Sequence, residues 1–260
     1  MKVTVFSSNQ PRHLNLVKEL SKIVENVYFI SEVNTVFPGK VNDFFKKTDV
    51  MQKYFYNVMN SEVKIFKNIN FLPLNVRTLL IKSGDLNMLP KQILVDSLDS
   101  DLYIIFGSSF IKGWLVDYLI EKRAINIHMG LSPYYRGSSC NFWAMYDQKP
   151  EYVGATIHRL SKGLDSGDMF FHCLPNMNNM KNPFDFTMQS VKVAHSAIIE
   201  KIKTNEIFSM KSIKQNGIKE IRYTKNKEFT DDVAEEFMNR DVFFPSKKIE
   251  YPELLNPIFG

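Results

Sequence analysis

Asn126 and His128 close the apolar run Ala124-Ile125-Asn126-Ile127-His128 and stand two positions apart. Alternate side chains of a strand share a face, so the amide and the imidazole would point one way and Ile127 the other. An amide N–H beside an imidazole that can give or take a proton suits the oxyanion of a tetrahedral intermediate, as in acyl transfer. An isolated N-x-H is more often a buried histidine satisfied by its neighbours, so its surroundings decide. Seven of the 11 glycines lie between residues 107 and 167 (Gly107, Gly113, Gly130, Gly137, Gly154, Gly163 and Gly167). The sharp turns of the chain therefore gather around this pair, and loops set on a rigid sheet are where sites usually form.

The elements that must hold such a site can be read outward from it. Val3 to Phe6 predicts a strand, Ser7 to Pro11 a turn, and the spacing of Leu14, Leu16, Val17 and Leu20 a helix. Strands follow at Val27 to Ile30, Thr78 to Ile81, Leu102 to Phe106 and Ala124 to His128. Helical patterns lie at Val41 to Phe66, Pro90 to Leu98 and Trp114 to Glu121. This alternation predicts an α/β fold, a mostly parallel sheet covered by helices on both faces, with ligands at the carboxyl ends of its strands. Val153 to Leu160 and Met169 to Leu174 add two strands, Phe184 to Ile202 a long helix, and Asp231 to Met238 a short one capped by Thr230. Residues 1–205 read as the main domain and 206–260 as a C-terminal appendage.

Composition narrows the class. At 260 residues, 44% hydrophobic and 23% charged, the chain is neither disordered nor a rod. Charges and Gly interrupt every apolar stretch before it reaches the roughly 20 residues of a membrane span. The N-terminus reads as a strand rather than a signal peptide, so no membrane association and a cytoplasmic location are expected. Cys140 and Cys173 show no metal-ligand spacing and fit reduced thiols. Residues 201–227 hold eight basic side chains against two acidic ones, a local balance of +6. With little aromatic interleaving and no nucleic-acid motif, this segment reads as a solvated surface, and no nucleic-acid partner is expected.

From the N-x-H the chain continues Met129-Gly130-Leu131-Ser132-Pro133-Tyr134-Tyr135-Arg136-Gly137, then Gly154-Ala155-Thr156-Ile157-His158, then Leu164-Asp165-Ser166-Gly167-Asp168. The run resembles the folate-dependent formyltransferases, which share an N-x-H, a P-x-Y-R-G-like turn, a G-x-T-x-H strand and a D-x-G-D loop in this order. The resemblance covers about residues 1–205 and is most specific at 126–168. One departure is Met129-Gly130, where many members carry Pro-Ser. The resemblance implies a Rossmann-like fold, with Asn126, His128 and Asp165 as the catalytic trio and His158 in support. It implies 10-formyltetrahydrofolate as donor, held by the loop with Phe110, Ile111 and Lys112 and by the loop from Gly163 to Asp168. No metal is called for.

For the acceptor, the turn Ser8-Asn9-Gln10-Pro11-Arg12 precedes a helix N-terminus, a natural phosphate site, and in the ribonucleotide relatives it holds the acceptor phosphate. Ser8, Asn9 and Arg12 are candidate contacts, although Ser and Asn here can equally be helix caps; Lys82 and Asn87 are weaker ones. The 55 positions after Asn205 are too few for the complete C-terminal domain of the methionyl-tRNA enzymes and resemble the amino-sugar enzymes more closely. The expected partner is therefore a small amine, a nucleotide-linked amino sugar. Alternatives are a hydrolase that gives the formyl group to water and a binding module that performs no chemistry. The apolar tail Phe243 to Gly260 either folds back on the core or pairs with a second copy as a homodimer.

Overall fold

The computed structural model describes residues 1–33, 44–178, 181–240, 244 and 250–260. β1 (Lys2–Ser8) leads into α1 (Pro11–Ser21), whose Pro in the first turn sits where no N–H donor is needed. β2 (Asn26–Val33) is followed by α2 (Asp49–Phe66), where the Thr48 hydroxyl accepts the Met51 N–H at 3.3 Å. β3 (Val76–Lys82), β4 (Leu102–Phe106), α3 (Gly113–Glu121) and β5 (Ile125–His128) complete the first half. Next come β6 (Tyr135–Gly137), α4 (Cys140–Tyr146), β7 (Ala155–Arg159) and β8 (Met169–Leu174). In α5 (Pro183–Lys203) the Asn182 side chain caps the N–H groups of Phe184 and Asp185. α6 (Glu206–Ser209), β9 (Arg222–Thr224), α7 (Asp231–Met238) and β10 (Ile258–Phe259) follow.

The main sheet runs β10-β8-β7-β5-β4-β1-β2-β3. Its pairings are parallel except that β7 is antiparallel to both β5 and β8. Alternation along the strands sends Val5, Phe29 and Ile104 to one face, under α1 and α5, and Phe6, Ile30 and Ile105 to the other, under α3. The chain winds from β1 to β3 in one direction and from β4 onward in the other. The carboxyl ends of β1 and β4 thus border the crevice that such a reversal opens.

Two expectations change. Pro90 to Leu98 does not form a helix: a 3-10 turn covers Lys91–Leu94, with Leu94 and Leu98 buried and Ile93 and Val95 exposed. The apolar residues there do not make one face, and Asp96, Ser97, Asp99 and Ser100 favour turns. The helical pattern at Val41 to Phe66 resolves into a 3-10 turn at Phe44–Lys46 and α2, with Val41 to Asp43 outside the described residues.

The appendage is woven into the main domain. β9 pairs with β6, α7 packs on α2, and β10 extends the sheet beside β8. Of the apolar tail, Phe244 and Leu254 pack around Trp143 and Phe237, and Ile258 packs on the main core; Phe243 lies outside the described residues. No described helix is long and apolar enough to cross a membrane.

Candidate active site

Three side chains meet at the carboxyl end of β5. Nδ1 of His128 lies 3.2 Å from Oδ1 of Asp165, and Nδ2 of Asn126 donates to that same oxygen at 3.2 Å. Asn126 also reaches Nε2 of His158 at 3.0 Å. His158 Nδ1 lies 2.7 Å from the Arg159 carbonyl, which can only accept. Nδ1 therefore carries a proton, and a neutral ring leaves Nε2 as the acceptor of the Asn126 N–H. Both amide hydrogens of Asn126 are thus engaged inside the cluster.

Burial by itself would lower the His128 pKa. The adjoining Asp165 carboxylate, with Cys140 on the other side, outweighs it and holds the imidazole well above its usual range. Burial likewise would raise Asp165, but the His128 charge and the hydrogen bond from its imidazole, above all, hold its carboxyl well below the usual carboxylate range. The site is an imidazolium–carboxylate pair with an amide bridging to a second imidazole.

The surroundings fix this geometry. Asp165 sits in the left-handed region at φ 48°, which Asp tolerates better than most residues. Its carbonyl and that of Gly167 each accept Gln215 Nε2 at 2.8 Å, and the Arg136 guanidinium holds the Leu164 carbonyl at 3.2 Å. A Cβ on Gly167 would fall 1.7 Å from the Arg159 carbonyl oxygen, so the loop can approach His158 only with glycine there. A Cβ on Gly130 would lie 2.5 Å from Cys140 Cβ and 2.7 Å from His128 Nε2. The departure at Met129-Gly130 thus has a local cause: Cys140 and His128 fill the space a larger side chain would need.

A cavity of about 530 Å³ opens onto the cluster. One end is bounded by Phe106 to Ile111 after β4 and by Leu160, Gly163 and Leu164; the other by Tyr54, Phe55, Phe142, Phe184, Phe229 and Phe237. Phe229 and Phe237 belong to the appendage, which therefore supplies part of the wall. Among the described residues no group of His, Cys, Asp and Glu could hold a metal ion.

Residues 92–202, from the turn before β4 to the end of α5, match the family model described as formyl transferase. This segment is similar to the formyl transferases. The methionyl-tRNA formyltransferase of Desulforamulus reducens is 46% identical over 51 residues, a match covering 20% of this chain and 16% of that protein. Phosphoribosylglycinamide formyltransferase of Anaplasma phagocytophilum superposes with a TM-score of 0.55 at 16% identity, over 87% of this chain and 99% of that one. An N-formyltransferase of Helicobacter canadensis, solved with folinic acid and dTDP-3-aminofucose, gives 0.50 at 14% identity, over 88% and 72%. These two structures share the fold.

Within the matched segment, the loop after β4 hangs on two clasps that sequence reading did not assign. Glu32, buried at the end of β2, accepts the Gly84 N–H at 2.8 Å and both the N–H and the hydroxyl of Ser109 at 2.5 and 2.8 Å. Asn87 donates to the Phe110 carbonyl at 2.8 Å and accepts the Lys112 N–H at 2.6 Å. Phe110, Ile111 and Gly163 border the cavity, whereas Lys112 and Asp168 are not in its lining. Lys112 precedes α3 with its ammonium 5.8 Å from the Phe110 ring centre, and the Asp168 carbonyl accepts the Arg159 N–H.

The candidate acceptor residues separate. Arg12 borders the cavity; Ser8 and Asn9 are buried outside its lining, and Lys82 lies exposed at the end of the edge strand β3. Asn87 commits its amide to the loop after β4. Glu62 of α2, buried, receives both the Arg12 N–H and its guanidinium. Glu32, Glu62, Gln215 and the neighbouring His13, which also borders the cavity, act across long sequence separations and carry no local motif.

Proposed function

We propose that this chain moves a formyl group from 10-formyltetrahydrofolate to the primary amine of a small acceptor, a nucleotide-linked amino sugar. The observation that carries the reading is the convergence of Asn126, His128 and Asp165 on one cavity within a segment similar to the formyl transferases. The donor suits the end bounded by Phe110, Ile111, Leu160 and Leu164, whose apolar side chains can cover a flat heterocycle.

The neutral amine attacks the formyl carbon and forms the new C–N bond. The carbonyl electrons move onto oxygen, where imidazolium His128 stabilises the developing charge. Asp165 keeps His128 charged and takes the proton shed by the attacking nitrogen, directly or through water. As Asp165 gains that proton its hold on the Asn126 N–H weakens, and the freed donor turns to the oxyanion. Collapse breaks the bond to the folate nitrogen, which takes up the proton held by Asp165, directly or through water, and leaves as tetrahydrofolate, restoring the carboxylate.

The amino-sugar acceptor is supported by the fold shared with the dTDP-3-aminofucose-bound enzyme and by the aromatic wall from α2, α4 and the appendage. The deciding experiment offers 10-formyltetrahydrofolate with a panel of nucleotide amino sugars and looks for a formylated product by mass. Formate released without any amine would favour the hydrolase, and folate binding with no turnover would favour a binding module.

A further inference from the structure

The turn between β1 and α1 lies at the reversal point of the sheet, where a helix N-terminus ordinarily offers unpartnered N–H groups and partial positive charge to an anion. Here two of those donors are used internally. Pro11 has no N–H, the Arg12 N–H donates to Oε1 of Glu62 at 3.0 Å, and the His13 N–H donates to the Gln10 carbonyl at 2.9 Å. The Arg12 guanidinium is likewise committed, with Nη1 2.9 Å from Oε2 of Glu62 and Nη2 donating to Oε1 of Gln10 at 2.5 Å. The Glu62 side chain is 4% exposed and arrives from α2, 50 positions away. A carboxylate forked between a helix N–H and a guanidinium matches the charge and geometry with which a phosphate oxygen pair would be held.

We propose that Glu62 is a specificity-determining residue that occupies the anion subsite of this turn from within. The cavity then admits amines whose phosphates lie elsewhere and turns away those bearing a phosphomonoester that must be seated at the turn. Arg12, at the cavity wall, presents a neutralised pair to the ligand, which suits sugar hydroxyls better than a phosphate. The idea rests on the formyl-transfer reading for the word acceptor, but the occupancy of the subsite can be tested without turnover.

The test titrates inorganic phosphate and ribose 5-phosphate into the full chain by calorimetry, comparing wild type, Glu62→Ala, Glu62→Gln, Arg12→Gln and Glu62→Ala/Arg12→Gln, with a circular dichroism melt of each. Wild type is expected to show no saturable phosphate binding. Glu62→Ala is expected to bind phosphate saturably, at least about tenfold more tightly than the weakest binding the titration would detect, the equivalent of one charge-assisted hydrogen bond, and the double variant to lose that gain. Glu62→Gln, similar in shape but uncharged, should fall between. Saturable binding by wild type that Arg12→Gln removes would overturn the proposal, as would a folded Glu62→Ala that binds no better than wild type. Should neither Glu62 variant fold, wild type against Arg12→Gln decides. Failure of the formyl-transfer reading appears separately, as no formylated product from any amine.

Discussion

Nδ1 of His128 and Oδ1 of Asp165, 37 positions apart in the chain, lie 3.2 Å from each other with their side chains 6% and 11% exposed. The imidazolium is sustained by that carboxylate, so Asp165→Asn should remove it while preserving the backbone, since Asn tolerates the left-handed conformation as well as Asp does. Formyl transfer measured in single turnover is expected to fall on the order of a hundred- to a thousandfold, and Asn126→Ala and His128→Ala should do the same with melting curves retained. A variant that turns over near the wild-type rate takes its residue out of the reacting centre.

The pair also makes stability depend on pH. His128 is raised on folding, so its contribution is complete below the ordinary imidazole value and is lost as pH climbs through the raised one. Asp165 is lowered, so its contribution is present above the ordinary carboxylate value and is lost as pH falls through the depressed one. Both are complete between about pH 4 and 6.5. The gap in melting temperature between wild type and His128→Gln should therefore be widest near pH 5.5 and narrow in alkali; a gap unchanged at about pH 9.5 contradicts the ion pair.

Gly130 tests the packing beneath His128. Its α-carbon faces Cys140 and the imidazole so closely that any side chain displaces one of them. Gly130→Ala is expected to cost about 1–3 kcal/mol by overpacking and to lower turnover with it. Gly217→Ala, where an added carbon meets nothing within 4 Å, serves as the control. Equal denaturation midpoints for the two variants would show that His128 does not depend on this contact.

Glu32 provides a separable effect on the donor side. Glu32→Gln puts an NH₂ where a carboxylate oxygen meets the N–H groups of Gly84 and Ser109, so the loop after β4 should loosen while Asn126, His128 and Asp165 stay in place. The expected result is a KM for 10-formyltetrahydrofolate raised about tenfold, as for one lost charged hydrogen bond, with kcat little changed. A fall in kcat alone, with KM constant, would mean that Glu32 supports something other than the donor loop.

The strands around β1, β4 and β5 were legible because each is a short apolar run ended by a turn, and the convergence of Asn126, His128 and Asp165 followed motif order. The antiparallel setting of β7 was not, because periodicity reports which face a side chain takes and is silent on strand direction. Ile93 and Val95 misled the helix reading because apolar residues alone do not make a buried face. Glu32 and Glu62 escaped notice for a related reason: a lone Glu in an apolar or amphipathic stretch carries no motif, and its partners at Ser109 and Arg12 are 77 and 50 positions away.

The segment from the end of α6 through β9 behaves as a splint. Gln215 grips the carbonyls of Asp165 and Gly167, and Thr224 and Ser138 exchange hydrogen bonds just beyond the stretch that follows His128. A protease nick there would leave the eight-stranded platform standing yet unfasten both sides of the reacting centre, separating an intact fold from a working one.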